Sequence, residues 1–413
     1  MGSRAATKSL KRFQLSINHE IQFASRSEVS KNNDQSISKA LLARVKDADY
    51  VKAESLLYSQ PVNEQDEFQR IRTLISRGQL SEAESHLQSW LTESQPEEIR
   101  AEARLELARI LAARGEWLEV VKVSSLALDC PVLATVSRLT LLQVRANAWL
   151  ELSDFSKTTF DLDQARGLLN LYPNAPSSFY LEALQTKLQV ATGRHFESIQ
   201  VLERFYSKFR KAGAINFDQI LTLLRVEAHA LRVSNLPFEN AAFAGILLCQ
   251  AMGDTLYEAL GWAELVASCD RDISDYARST STPLFEKFER ARKLAKSLET
   301  KPLKDSKASS PLPLERSIKR MYFAKRGLIV DLENKTAQFV SLTEQHRTLL
   351  ECLIAGSQSA DSFFTSAWNL TYQPQRHETT LKVALKRLRD QTGITVRLRG
   401  GQIEICENDW ILA

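Results

Sequence analysis

Between about residues 36 and 298, apolar positions recur at the three- and four-residue spacing of amphipathic α-helices. One phrase returns along this region: a glycine or small residue ends a helix, a large apolar residue follows, and another small residue comes three positions later. It predicts helix pairs in which the glycine permits the reversal and the small residue lets the two helices approach closely. The phrase is anchored, at intervals of roughly 30–40 residues, at Ala48, Gly78, Gly115, Ser153, Gly193 and Ser234.

Each copy of the phrase predicts which side chains lie between its two helices. The large residues that pack back across the turn are Tyr50, Leu80, Trp117, Phe155, Phe196 and Leu236. The small residues at the helix crossing are Ala53, Ala83, Val120, Thr158 and Ser198. The residues four positions before each anchor, on the inward face of the first helix, are Leu74, Leu111, Trp149, Leu188 and Ala230.

The order glycine, aromatic, small residue resembles the tetratricopeptide repeat, and the copies at Gly78 and Gly115 are the best matches. Another α-solenoid fits as well, because the period alone separates these architectures poorly. The resemblance implies a long concave groove that holds a protein or peptide partner, or a second copy of the chain.

The last hundred residues follow a different pattern. Two short apolar strands in 327–340 flank a turn at 333–335, and three helices are expected over 341–356, 359–370 and 377–391. Two further strands, 394–398 and 402–406, flank the glycine pair of a hairpin. We expect Thr343 to cap the first helix. The residues expected in the core of the second and third helices are Phe363, Phe364, Ala367, Trp368, Leu381, Ala384 or Leu385, and Leu388.

Strands, three helices and a terminal hairpin form a winged helix, and the residues resemble the OmpR/PhoB-type DNA-binding domain. The resemblance rests on Leu342-Thr343 with Leu349-Leu350, on Ala367-Trp368-Asn369, on 380–389 and on Arg399-Gly400-Gly401. The chain departs from that family at His346 and Arg347, where a glutamate is expected, and after Gly401, where the wing continues with Gln402.

The resemblance implies double-stranded DNA as the partner and the third helix as the element that enters the major groove. Residues 376–399 contain seven lysines and arginines but only two acidic residues, and this excess of positive charge attracts the phosphate backbone. Arg387 and Arg389 either join this surface or bridge to Glu351 or Glu404. The implied base-reading residues are Thr379, Lys382, Val383 and Lys386, the implied phosphate contacts near the helix start are Arg376, His377 and Thr380, and the implied wing contacts are Arg397 and Arg399.

The amino-acid composition and the absence of known motifs exclude several further classes of fold and function. Glycine and proline are scarce, at 14 and 11 of 413 residues, which favours long helices over a β-sandwich. Charges interrupt every apolar run before it reaches the ~18–20 residues of a membrane span, so we expect no membrane partner and a cytoplasmic location. The five cysteines are widely spaced, and the sequence lacks metal-ligand spacings, nucleotide-binding loops and hydrolase motifs, so we expect no metal, no cofactor and no enzymatic activity.

The fold class predicted is therefore mainly α, a tetratricopeptide-like α-solenoid followed by a small α+β winged-helix domain. The expected boundaries are a polar tail over 1–35, the helical repeats over 36–298, a proline-containing linker over 299–320 and the winged helix over 321–413. The favoured function is a DNA-binding transcriptional regulator whose repeats sense a partner or oligomerise. The alternative is a scaffold whose repeat groove holds a partner and whose winged helix binds protein.

Overall fold

A computed structural model describes residues 64–170, 177–213, 215–268, 270–299, 318–355, 358–399, 402–405 and 410–412. The described chain is mainly helical, with small β-sheets near its C-terminal end. The expected polar tail, the anchor at Ala48 with its partners Tyr50 and Ala53, and the glycine pair of the hairpin lie outside these residues. None of the described helices is both long and apolar enough to cross a membrane.

Residues 64–299 form a helical array. Its helices are α1 Glu64–Ser76, α2 Leu80–Gln88, α3 Glu97–Arg114, α4 Trp117–Leu128, α5 Thr135–Glu151, α6 Phe155–Leu169, α7 Ser177–Ala191, α8 His195–Ala212, α9 Phe217–Val233, α10 Glu239–Met252, α11 Thr255–Leu265, α12 Arg271–Lys287 and α13 Glu289–Glu299.

The anchors lie at the reversals between paired helices, as the sequence predicts. Gly78, Gly115, Ser153 and Gly193 all have left-handed backbone conformations, with φ of +72°, +78°, +61° and +83°. At the last anchor the left-handed residue is Asn235 rather than Ser234. Each reversal closes with a backbone hydrogen bond from the residue after the left-handed one, such as that from the Gln79 N–H to the Leu74 carbonyl (2.8 Å).

The small residues of the phrase are buried completely: Ala83, Val120, Thr158 and Ser198 each have no exposed surface. Close helix approach at these positions is therefore confirmed. Phe196 is different, because its side chain is 83% exposed and does not pack across the turn. It lies three positions after Gly193 instead of two, and one residue of helix turns the side chain by about 100°.

The first helices of successive pairs pack against each other in the order α1, α3, α5, α7, α9 and α11, and α11 then packs against α1. At this closure the Thr255 hydroxyl donates to the Ser76 carbonyl (3.2 Å), and Lys287 Nζ donates to the Arg77 carbonyl (2.6 Å). The expected long open groove is thus interrupted within residues 64–299, because the array returns to its own first helix.

The junction between α12 and α13 and the first turn of α13 cover two of the turn glycines. A Cβ on Gly78 would overlap the Phe288 ring, and a Cβ on Gly115 would lie 3.5 Å from Arg290 Cβ. The Arg290 guanidinium lies over the Trp117 ring, 4.6 Å from its centroid, and 3.5 Å from Glu151. The two best copies of the repeat phrase are therefore contacted by the segment that joins α12 to α13, at Gly78 by Phe288 and at Gly115 by Arg290.

Residues 318–412 form the C-terminal module. Its elements are β1 Arg320–Phe323, β2 Leu328–Asp331, β3 Thr336–Phe339, α14 Glu344–Ala355, β4 Gln358–Ser359, α15 Ala360–Trp368, α16 Pro374–Thr392, β5 Val396–Arg399, β6 Gln402–Ile405 and β7 Trp410–Leu412. One sheet has the order β3-β2-β1-β7, with β7 parallel to β1, and the second has the order β4-β6-β5.

The expected helices and hairpin strands are present, with shifted ends. Thr343 Oγ1 accepts a hydrogen bond from the His346 N–H (3.3 Å), which confirms it as the cap of α14. The third helix begins at Pro374, three residues early, because proline suits the first helical turn. Strands β1 and β7 were missed, and β1 begins at Arg320, a residue assigned to the linker.

Strands β1 and β2 of the first sheet are buried on both faces, whereas β3 at its edge alternates exposed and half-buried residues. Met321, Phe323, Leu328 and Val330 belong to the array's main apolar core, whereas Tyr322, Ile329 and Trp410 belong to the core of the C-terminal module. The alternation follows the two-residue period of a strand. The module is thus packed directly onto the helical array through this sheet.

Candidate nucleic-acid interface

Helix α16 has one buried stripe and one exposed face. Leu381 and Leu388 have no exposed surface and Ala384 is 5% exposed, while Leu385 is half-buried at the edge. Ala384 is therefore the central core residue between the two leucines. The residues of this face that are expected to contact DNA are all exposed: Arg376, Thr379, Thr380, Lys382, Val383, Lys386 and Arg387.

The exposed face is cationic and largely free of ion pairs within the described chain. Lys382 Nζ lies 2.7 Å from Glu378 Oε1, one helical turn earlier, and this hydrogen bond and charge raise the pKa of Lys382. Arg376, Lys386 and Arg387 form no ion pair with any acidic side chain that the structure describes. The exposed Val383, 44% accessible, adds an apolar contact on the same face.

His377 is built into the module rather than presented with the other residues. Its ring stacks on Phe364 at 4.6 Å and 8°, and Phe364 stacks in turn on Trp368 at 4.4 Å. Its Nδ1 accepts a hydrogen bond from the Gln373 N–H (3.0 Å) at the start of α16. The side chain thus fixes the first turn of the helix against α15, a positioning role that the resemblance did not imply.

Arg387 and Arg389 were each expected either to contact DNA or to form an ion pair with Glu351 or Glu404, and the structure places the two side chains differently. Arg389 contacts its own neighbour Asp390 at 3.3 Å, and Glu351 lies 4.0 Å from Arg347. Arg387 lies near the start of α14, where burial and then its positive charge lower the pKa of His346. The side chain of Glu404, the other suggested partner, lies outside the described residues.

For the expected wing contacts, Arg397 and Arg399, the structure describes the position of the backbone. Strand β5 pairs with β6 in a register that sets Arg397 opposite Glu404 and Arg399 opposite Gln402. Strand β5 follows α16 in the chain, and this pairing places the backbone of both arginines in the second sheet. Their side chains, like residues 400 and 401, lie outside the described part of the chain.

The residues that join the array to the C-terminal module were missed. Arg326, 8% exposed, pairs with Glu227 of α9, lies 3.6 Å from Glu203 of α8 and stacks on the Tyr206 ring at 4.0 Å. Arg210 of α8 donates to the Arg326 carbonyl. The available signal was the unbroken apolar run of 328–330, which is typical of a strand that is buried on both faces.

Comparisons of the sequence with known protein families, with curated proteins and with solved structures find no match to this chain. Within the described residues, no group of three histidine, cysteine, aspartate or glutamate side chains is arranged to hold a metal ion.

Proposed function

We propose that this protein is a DNA-binding transcriptional regulator, in which α16 of a winged-helix module reads duplex DNA. The observation that carries the proposal is the exposed face of α16, where Thr379, Lys382, Val383 and Lys386 lie together opposite the buried leucines. A helix with hydrogen-bonding, basic and apolar side chains on one accessible face matches the donor, acceptor and methyl pattern of the major groove.

The packing of the module supports this role. One face of the first sheet is covered by the array, and α16 lies in the module with its basic face uncovered by any described residue. Arg376 and Thr380 near the helix start, with Arg397 and Arg399 in the following strand, then contact phosphates on either side of the groove. His377 holds the helix start in place.

The helical array, with its paired helices and left-handed turns, is proposed to be tetratricopeptide-like and to serve as the sensory part of the regulator. Because α11 returns to α1 and the segment from Phe288 to Arg290 covers the turns at Gly78 and Gly115, a protein partner is expected on the second helices of the pairs rather than in an open groove. A second copy of the chain could bind the same second helices.

Selection from a pool of random duplex DNA tests the proposal. The full chain is used, because removing the array would expose Met321, Phe323, Leu328 and Val330 to water. Repeated selection is expected to enrich one common sequence. A bound pool that stays random, or no bound duplex at low salt, contradicts sequence-specific reading. The substitution Val383→Ala should then change the preferred base at one position without changing the affinity for random duplex.

A further inference from the structure

A small pocket lies between α6, α7 and α8 on the helical array, distant in sequence from the proposed DNA interface. It is a cleft open to solvent with a volume of about 270 Å³, close to the lower end of the ~300 Å³ typical of small-molecule sites. Seven of its nine lining residues have polar or charged side chains, although most of the exposed lining surface is apolar, contributed by Val201, Phe205 and the aliphatic parts of the longer side chains.

Positive charge dominates two walls of the pocket. Arg204 and Lys208 lie one turn apart on α8, and Arg166 faces them from α6. Arg166 is held in place by Asp163 (2.7 Å) and by Gln185 Oε1 (2.7 Å). Arg204 and Lys208 pair with no acidic side chain in the described chain, so their charge is available to a ligand.

Hydrogen-bond acceptors form the third wall, on α7. Glu182 and Gln189 both line the pocket. The Gln189 side-chain oxygen is buried and has no hydrogen-bond partner among the described atoms, which costs free energy. A ligand hydroxyl that draws this amide toward the pocket would remove that cost, whereas a bare anion would be repelled by Glu182.

We propose that this pocket binds a small organic anion that also carries hydroxyl groups, of which a sugar phosphate is the simplest example. Its anionic group lies between Arg166, Arg204 and Lys208, since arginine and lysine side chains together supply charged donors to phosphate oxygens. Its hydroxyl groups donate to Glu182 and Gln189. The inference concerns the array alone and does not depend on DNA binding.

One helix of the pocket, α8, also contacts the C-terminal module. Helix α8 carries Arg204 and Lys208 toward the pocket, while Glu203, Tyr206 and Arg210 of the same helix hold Arg326 of the C-terminal module. The pocket and the docking contacts of the C-terminal module therefore share helix α8.

Isothermal titration calorimetry of the full chain tests the proposal with glucose 6-phosphate, inorganic phosphate and glucose as probes. Saturable binding at millimolar concentration is expected for glucose 6-phosphate, weaker binding for phosphate, and none for glucose. The variant Arg204→Gln with Lys208→Gln should weaken glucose 6-phosphate binding at least tenfold. Its control, Arg194→Gln with Lys211→Gln, removes the same charge from the ends of α8 and should bind normally.

Three results would contradict the proposal. Absence of saturable heat with both glucose 6-phosphate and phosphate excludes an anion site. Equal weakening in the two double variants shows that only the general charge of α8 matters. Equal affinity for phosphate and its sugar ester would refute the assignment of Glu182 and Gln189 as hydroxyl acceptors.

Discussion

Two aspartates occupy the same place at the starts of different helices, yet their environments differ. Asp154 caps α6 by accepting from the Lys157 N–H (3.1 Å), and Asp254 caps α11 by accepting from the Tyr257 N–H (3.0 Å). Hydrogen bonds to Lys157 hold the pKa of Asp154 below its ordinary value. Asp254 is 3% exposed, and burial raises its pKa to about 7 although the Tyr257 bond opposes the rise.

The substitution Asp254→Asn should stabilise the protein at neutral pH. The unfolded aspartate ionises near 3.8, whereas the native one stays protonated up to about 7. Native stability therefore falls as pH rises between these values, by up to about 1.4 kcal/mol per pH unit. Urea unfolding at about pH 8 and about pH 4 should show a gain for Asp254→Asn at the higher pH and none at the lower.

The matched substitution Asp154→Asn has the opposite sign. The native pKa lies below the unfolded one, so the ionised cap stabilises the protein above the unfolded pKa, and this contribution is lost as the pH falls. A small loss of stability at neutral pH that shrinks in acid is expected. A gain in both variants at neutral pH would contradict the assignment of burial as the cause at Asp254.

At the scale of elements, the turn glycines differ in what surrounds them. Gly193 has a left-handed φ of +83° and no atom near its missing Cβ, whereas Gly78 combines φ of +72° with the Phe288 ring in the same space. The first constraint is local backbone geometry, and the second comes from Phe288, which lies between α12 and α13 more than two hundred residues later in the chain.

Alanine substitution at the two glycines separates these constraints. Gly193→Ala should cost about 1–2 kcal/mol, the strain of a left-handed alanine. Gly78→Ala should cost a further 1–3 kcal/mol or so, because the methyl group must displace Phe288. Chemical denaturation of both variants measures the difference, and equal losses would mean that Phe288 does not pack on this turn.

The same contrast shows how far the elements follow from the sequence. The reversals at Gly78, Gly115 and Gly193 were predictable, because a left-handed residue between two helical segments is a local signal. The packing of α11 on α1 was not, since it joins residues such as Ser76 and Thr255 that no local pattern relates. Strand β7 was missed for a similar reason: its three residues gain their partner only when β1 is adjacent.

On the scale of the whole molecule, the ion pair between Arg326 and Glu227 holds the array and the C-terminal module together. Arg326→Met should destabilise the docked module by about 3 kcal/mol, because Glu227, only 16% exposed, then lacks its partner. The double variant with Glu227→Gln should lose less than the sum of the single variants. Urea unfolding of the four proteins measures this coupling, and strictly additive losses would contradict a direct interaction.

The sequence predicted which residues of α16 are exposed, but not the contacts that hold this helix and the C-terminal module in place. The exposed face of α16, with Lys382, Val383 and Lys386, follows from helical period alone once the leucine stripe is recognised. The role of His377 did not, because its stacking on Phe364 depends on how α15 and α16 meet. The packing of the module on the array could not be predicted either. The apolar run 328–330 indicates a strand that is buried on both faces, but it does not show which helices cover the second face.

The salt dependence of duplex binding by the full chain tests the central claim most directly. Affinity of the selected sequence is compared between the wild type, Lys382→Ala with Lys386→Ala, and Lys293→Ala with Lys296→Ala on α13. The control is matched, because Lys293 pairs with Glu289 one turn away much as Lys382 pairs with Glu378, and Lys386 and Lys296 are both exposed.

The double change in α16 should lower affinity for the selected sequence at least tenfold and make the slope of log affinity against log salt shallower by about 1–2. The α13 control should keep both the affinity and the slope of the wild type. If the two double variants bind alike, α16 is not the element that contacts DNA.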